Sequence, residues 1–301
     1  VLRWLGVSVA LLACGLWCVA QAASPPVKLL LLQKTPFIGL LDQLTANASC
    51  AYSTRKLRAA YAGKALNVRR TSDGATQDIG FTSSGNLDQV SLAAFVGSNG
   101  GYVTKWYDQS GNGCNATQAT TTLQPQLVAA GAINVRNKQA CMLTGIGSGA
   151  GTDTWLGFGP TIAQPFVINF VFQYDTIVAG AHLMDGSSSR VLFGYGGATT
   201  YQFYLGSSAE ITGTTDTTTV HGIFAVANNT ASGFYVDNVL QSSLTNSLGT
   251  NGIAATEWIG QATGAAGVNA WICEYIVFPS IPGTTDRGTL HTSQSAYWGT
   301  P

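Results

Sequence analysis

From Val135 onward the chain runs in short apolar or alternating stretches separated by Gly, Ser, Thr and Asn. That period predicts strands at Ala140 to Leu143, Trp155 to Phe158, Phe166 to Gln173, Arg190 to Gly194 and Tyr201 to Leu205. It predicts five more at His221 to Ala227, Ser232 to Val236, Val239 to Ser242, Ala255 to Ile259 and Ala270 to Phe278. Asp237-Asn238 has the length and residue types of a two-residue hairpin turn, so Asp237 is read as geometry. Helical spacing is confined to three places. Leu57, Ala60 and Tyr61 predict a helix over Thr54 to Ala62, capped by Ser53 or Thr54 and ended by Gly63. Ser91 to Phe95 predicts a second short helix. Thr285 to Trp298 predicts a closing one, with Asp286 as its cap and with Tyr297 and Trp298 laid on a sheet. The sum is an all-β sandwich with one or two short N-terminal helices and a C-terminal helical tail.

Ahead of this pattern, residues 1 to 23 carry Arg3, then an apolar stretch ending in Ala20-Gln21-Ala22, the small-x-small form of signal-peptide cleavage. The expected location is secreted or periplasmic. Leu11-Leu12-Ala13-Cys14-Gly15 resembles a lipobox, so the alternative is a protein lipid-anchored through Cys14. Residues 24 to 49 read as an N-terminal linker that partly packs on the body, and residues 50 to 301 as one sandwich domain with no membrane span in the mature chain.

Composition narrows the partners. The chain has 36 glycines and only 9% charged residues, and without Arg3 the balance is 13 basic to 14 acidic. Such a surface lacks the basic footprint of a nucleic-acid binder. It suits a neutral polysaccharide or oligosaccharide, or another surface protein. Arg55, Arg58, Arg69 and Arg70 form either a recognition patch or ion pairs to Asp73 or Asp78. Beyond the leader four cysteines remain, Cys50, Cys114, Cys141 and Cys273, an even number that favours disulfides and matches no zinc spacing. No phosphate-loop or dinucleotide motif occurs, and His182, His221 and His291 have no partner at metal-ligand or triad spacing, so neither metal nor cofactor is expected.

The run Trp106-Tyr107-Asp108-Gln109-Ser110-Gly111-Asn112-Gly113 reads as a strand end joined to a fixed turn that needs positive φ. Its polar groups either hold that turn or rim an aromatic sugar site, which makes Trp106, Tyr107, Asp108, Gln109 and Asn112 candidate ligand contacts. Around it lie Ala51-Tyr52-Ser53-Thr54-Arg55-Lys56-Leu57-Arg58-Ala59-Ala60-Tyr61-Ala62-Gly63, Val68 to Asp73, Gln77 to Phe81, Ala116 to Ala119 and Gln124 to Val128. This order resembles the catalytic domain of the α-L-arabinofuranosidase B family, specifically from about Ala51 to Val128. The second half resembles concanavalin-A-like and laminin-G-like jelly-roll sandwiches. In laminin-G-type sandwiches first and last core strands are neighbours, which implies Cys141 with Cys273 and Cys50 with Cys114. The first resemblance implies a retaining glycosidase acting on arabinose-containing polysaccharide. The second implies a non-catalytic glycan- or protein-binding module.

Glycoside hydrolysis uses two carboxyl groups roughly 5 to 9.5 Å apart. Asp73-Gly74, Asp185-Gly186 and Asp237-Asn238 are read as turns, leaving Asp108, Asp153, Glu210, Asp216, Glu257 and Glu274. The two candidate catalytic acids are Glu210, in the loop Gly206 to Thr219, and Glu274, mid-strand with Ile272, Ile276 and Phe278 on its face. Burial there raises a carboxyl pKa, as a general acid requires, unless a backbone amide or an arginine holds it. The resemblance implies a Glu nucleophile near Tyr201 to Ser208 and an Asp acid in a run like Ile-Gly-Gly-Asp. The matching run here is Ile259-Gly260-Gln261-Ala262, and neither stretch supplies the family's acid.

Overall fold

The alternating runs of the second half become strands in the computed structural model, which describes residues 36–145, 154–177, 180–186, 190–195, 200–207, 209–243, 247–254, 257–260 and 269–301. The leader with Cys14, the start of the linker, Asp153 and Gln261-Ala262 lie outside the described residues. The front half forms β1 (Cys50–Ser53), β2 (Leu66–Arg70), β3 (Thr76–Ile79), α1 (Gln89–Val96), β4 (Gly101–Trp106), β5 (Ala116–Thr117) and β6 (Gln126–Ala129). Next come β7 (Ala132–Ile133), β8 (Val135–Arg136), β9 (Gln139–Ala140), β10 (Met142–Thr144), β11 (Trp155–Phe158), β12 (Phe166–Thr176), β13 (His182–Gly186) and β14 (Leu192–Tyr195). The chain closes with β15 (Tyr201–Tyr204), β16 (Ala209–Thr212), β17 (His221–Ala227), β18 (Gly233–Val236), β19 (Val239–Ser243), β20 (Glu257–Gly260), β21 (Asn269–Phe278) and α2 (Thr284–Trp298).

Two antiparallel layers result. One runs from β1 and β10 through β21, β12, β17 and β18 to β19. The other runs β3, β2, β4, β5, β11, β20, β13, β14, β15, β16, and β6 joins the layers by pairing with both β4 and β10. Aromatic rings fill the space between. Phe193 meets Phe170 and Phe234 edge-on with centroids 5.3 Å away in each case, and Tyr52 lies 5.7 Å from Trp106 and 5.9 Å from Phe158. This is the sandwich the sequence pattern predicts.

The first layer is covered on both faces. Tyr275 and Val277 point to the ring-filled interior, while Ile276 and Phe278 pack outward with Leu40, Leu41, Leu57 and Leu290 of α2. That explains why Phe166 to Tyr174 and Ile272 to Phe278 are buried without interruption, Asn169, Gln173 and Glu274 included. Where Val171 pairs with Glu274 and Phe172 with Ile272, Cys273 is the extra, bulged residue. The phase therefore changes, and Ile272 lies in the interior rather than on the face of Glu274. Cys273 is bonded to Cys141, and Cys50 to Cys114, the pairing that the resemblance implies.

Two local expectations are corrected. Thr54 to Ala62 is not helical, because its donors are taken by distant acceptors: Lys56 N by Gly85 O at 2.7 Å, Leu57 N by Gln109 Oε1 at 2.7 Å, Ala59 N by Asp42 Oδ2 at 2.6 Å. Asp286 does not cap α2, whose N-cap is Gly283; its carboxylate accepts from Thr45 N, Thr45 Oγ1 and Ala46 N instead. The short helix predicted at Ser91 to Phe95 forms as α1, capped by Asp88. The Asp237-Asn238 hairpin also forms, with φ of 49° and 65°.

Phe193→Ala removes a ring that bridges both layers and is expected to cost about 3–5 kcal/mol in urea denaturation. Val239→Ser, on the exposed edge strand, is expected to change stability by less than about 0.5 kcal/mol.

Candidate functional site

The Trp106 to Gly113 run is a hydrogen-bonded knot that fastens the front of the chain. Asp108 accepts from Ala51 N at 2.8 Å, Ser110 N at 2.8 Å and Cys114 N at 3.1 Å, and Gln109 donates to Ser53 O and Arg55 O while accepting from Leu57 N. Asn112 donates to Ala48 O and Ser49 O. Gly111 and Gly113 turn the backbone at φ of 98° and 75°. Trp106 and Gln109 are wholly buried, and Tyr107 directs its hydroxyl to Asp78 Oδ1 at 2.8 Å. The knot thus bonds its polar groups to the backbone of the front segment, with Asp108 and Gln109 buried and Asn112 exposed.

Glu274 is buried, as alternation predicts, but its pKa shift has the opposite sign. Burial pushes the carboxyl up; the charge of Arg55 and hydrogen bonds from Arg55, Gln294 and Ser53 outweigh it and hold Glu274 below its usual range. Arg55 binds both oxygens, Nε to Oε2 at 2.7 Å and Nη2 to Oε1 at 3.0 Å. The pair sits beneath α2, with Trp298 Nε1 3.4 Å from Oε2. An acid clamped in this way stays ionised and has no exposed surface of its own. Glu210 lies in β16, paired with Phe203, rather than in a loop. The four arginines do not form a patch either: Arg70 pairs with Asp73 at 2.7 Å and Arg69 donates to Gln124.

Three neighbouring strands, β11, β20 and β13, carry the remaining chemistry. Asp185, read from sequence as a turn residue, lies inside β13 and accepts from Arg190 Nε at 2.6 Å and Nη2 at 2.8 Å, with His182 Nδ1 3.1 Å away. Burial would raise it, yet bonds from Arg190, His182 and Gly186 N hold it low. Glu257, on β20, is wholly buried; Ala254 N approaches Oε1 at 3.5 Å, and Oε2 has no partner among the described residues. Burial pushes this carboxyl up to about 9, against one weak backbone bond, with the Asp185 charge adding to the rise. Register sets Asp185 opposite Trp258 and Gly186 opposite Glu257, so the two acids leave the strand pair on opposite faces. Glu257 faces inward with Ile259. Trp258 faces outward and meets Trp155 at 5.6 Å, both rings partly exposed. Sequence reasoning retained Glu257 without ranking it; the alternation that flagged Glu274 applies equally to Glu257 and Ile259. Among the described residues no group of three His, Cys, Asp or Glu gathers as a metal site.

Strand order and knot together define a two-layered β-sandwich with a fastened front segment, and comparison with known proteins shows what it is similar to. Residues 43–146 match the family model for alpha-L-arabinofuranosidase B, catalytic. An α-L-arabinofuranosidase of Hypocrea jecorina is 43% identical over 67 residues, 22% of this chain and 13% of that protein. A probable α-L-arabinofuranosidase B of Aspergillus flavus is 41% identical over 68 residues, again 22% and 13%. Among solved structures, an arabinofuranosidase complexed with arabinofuranosyl-α-1,2-xylobiose superposes with a TM-score of 0.60 at 16% identity, covering 87% of this chain and 65% of that one. The front segment thus carries the sequence signature of arabinofuranosidase B, and the fold of such enzymes extends across most of the chain. The chain spans less than two thirds of that solved structure, and the aligned stretch a small part of the fungal relatives.

Arg55→Met leaves a buried carboxylate without its counter-ion and is expected to cost about 3–5 kcal/mol at neutral pH. Because the folded pKa of Glu274 is depressed, the pair's contribution is present above the ordinary carboxylate value and is lost as pH falls through the folded one. Glu257 has the reverse sign. Its folded pKa lies above its ordinary 4.5, so the stability it allows is full below 4.5 and declines as pH rises toward about 9. Glu257→Gln cannot ionise, and its Tm is expected to fall less than that of the wild type between pH 5 and pH 8.5 in a melting series.

Proposed function

We propose that this chain is a carbohydrate-active β-sandwich directed at terminal α-L-arabinofuranosides of neutral, arabinose-containing polysaccharide, with hydrolysis as its activity. The observation that carries the reading is the match of residues 43–146 to arabinofuranosidase B, on a fold shared with a solved arabinofuranosidase over 87% of the chain. Within the site, Glu257 is the acid held protonated near neutral pH, the state a proton donor needs. Glu210 is the second acid of the reading. We further infer a secreted or periplasmic location, which the two disulfides support; anchoring through Cys14 is the alternative.

A specific observation favours a second reading, a non-catalytic glycan-binding module. Asp108, Asp185 and Glu274 are buried and bonded, Asp216 closes a turn on Thr218 and Thr219, Asp237 binds His221 and Gly222, and Glu257 itself is enclosed. Such acids serve the fold before any substrate.

Incubation with 4-nitrophenyl α-L-arabinofuranoside separates the readings. The hydrolase predicts turnover that falls at high pH only above about 9. Glu257→Gln and Glu210→Gln are each expected to reduce it by about a hundredfold or more. An inert wild type that still binds arabinofuranosyl-α-1,2-xylobiose is the result expected of the module, and it would sink the hydrolase.

A further inference from the structure

A polar cleft of about 370 Å³ opens in the front half beside edge strand β3, and neither the Arg55–Glu274 pair nor Glu257 lines it. Its apolar wall is Tyr61 and Phe81, edge to face with centroids 6.3 Å apart and both half-buried. Around them stand Gln77, Asp78, Lys64 and Thr82, all exposed. The wall is fixed before any ligand arrives. Tyr61 donates its hydroxyl to Lys64 O at 2.9 Å, and Asp78 Oδ1 accepts from Asn67 Nδ2 at 2.7 Å and from the Tyr107 hydroxyl at 2.8 Å. That leaves Oδ2 of Asp78, the Gln77 amide and the Lys64 ammonium without a partner among the described residues, on three residues that line the cleft.

Charge in the cleft cancels: Lys56 and Lys64 face Asp78 and Asp88, whose two oxygens are already taken by Ser91 N and Ser91 Oγ. An anion or a cation gains little net attraction there. A sugar ring gains three things at once: an aromatic wall for its C–H face, a carboxylate oxygen that accepts from hydroxyls, and an ammonium and an amide that donate to them. The volume falls in the range of small-ligand sites. We infer that this cleft is a second binding site, for one or two residues of a neutral oligosaccharide, separate from the β11, β20 and β13 strands. It goes beyond the hydrolase reading, and its existence does not depend on turnover.

Tyr102, Tyr107 and Tyr61 ring resonances and calorimetry together give the test, with xylotriose and arabinofuranosyl-α-1,2-xylobiose as neutral probes and a galacturonic acid trimer as the charged one. Neutral probes are expected to bind in the millimolar range and to shift Tyr61 but not Tyr102, which lies outside the cleft. A Cβ on Gly80 would meet only the Lys64 side chain, at 3.7 Å and 3.9 Å, so Gly80→Tyr fills the cleft from its floor. Gly80→Tyr and the exposed-strand variant Gln77→Ala are each expected to weaken neutral binding about fivefold or more. Glu257→Gln is expected to leave it unchanged, and aryl arabinofuranoside turnover is expected to be the same in Gly80→Tyr, Gln77→Ala and wild type. Binding indifferent to both cleft variants, tighter binding of the acidic trimer, or no Tyr61 shift at saturating neutral probe overturns the inference. Loss of aryl turnover in the wild type bears on the hydrolase reading alone.

Discussion

The ion pair between Arg55 and Glu274 is the constraint around which this molecule is arranged. Glu274 stands on the outer face of the central layer, wholly buried, and its two oxygens receive Arg55, Ser53, Gln294 and Trp298. Through it the turn after β1, the strand β21 and the helix α2 are held in one geometry. A buried pair of this kind adds less net stability than well-packed apolar side chains, since both charges give up water. What it adds is register. Strand β21 cannot slip by one residue without driving a carboxylate into the aromatic interior, and Arg55 cannot relax into a helix without abandoning it.

That constraint also sorts the acids of the chain. A carboxylate with a bidentate arginine is fixed in charge and position and is poor material for proton transfer. Glu257, like Glu274, has no exposed surface, but no cation stands beside it among the described residues, so burial prevails and its pKa shifts the other way. Burial alone therefore does not fix the protonation state of a carboxyl; the presence or absence of a partner does.

Much of the fold was legible because half-buried strands announce themselves by period. Trp155 to Phe158 and His221 to Ala227 form strands with the bounds that alternation predicts. Strand β13 was not seen: His182-Leu183-Met184-Asp185-Gly186 has no period of two, since a register irregularity lies between His182 and Met184. The false helix at Thr54 to Ala62 had good spacing and a good cap. Its competitors, Gly85 O, the Gln109 amide and the Asp42 carboxylate, leave no trace in local sequence. The same distance hid the partner of Glu274, because Arg55 lies 219 residues earlier. Within the Trp106 to Gly113 run the glycines disclose the turn, but the distant backbone groups that Asp108 and Gln109 bond leave no mark in the local sequence.

The pairing of β1 with β21, Cys50 against Val277, bears on how the molecule comes to be. Tyr52, whose ring closes the interior against Trp106 and Phe158, has no neighbour on its sheet until the strand near the far end of the chain arrives. Closing so long a loop is entropically costly, so the contact that completes this part of the layer is one of high sequence separation. The bond between Cys50 and Cys114 closes a shorter loop, 64 residues, and ties β1 to the Trp106 to Gly113 knot by a link that does not involve β21.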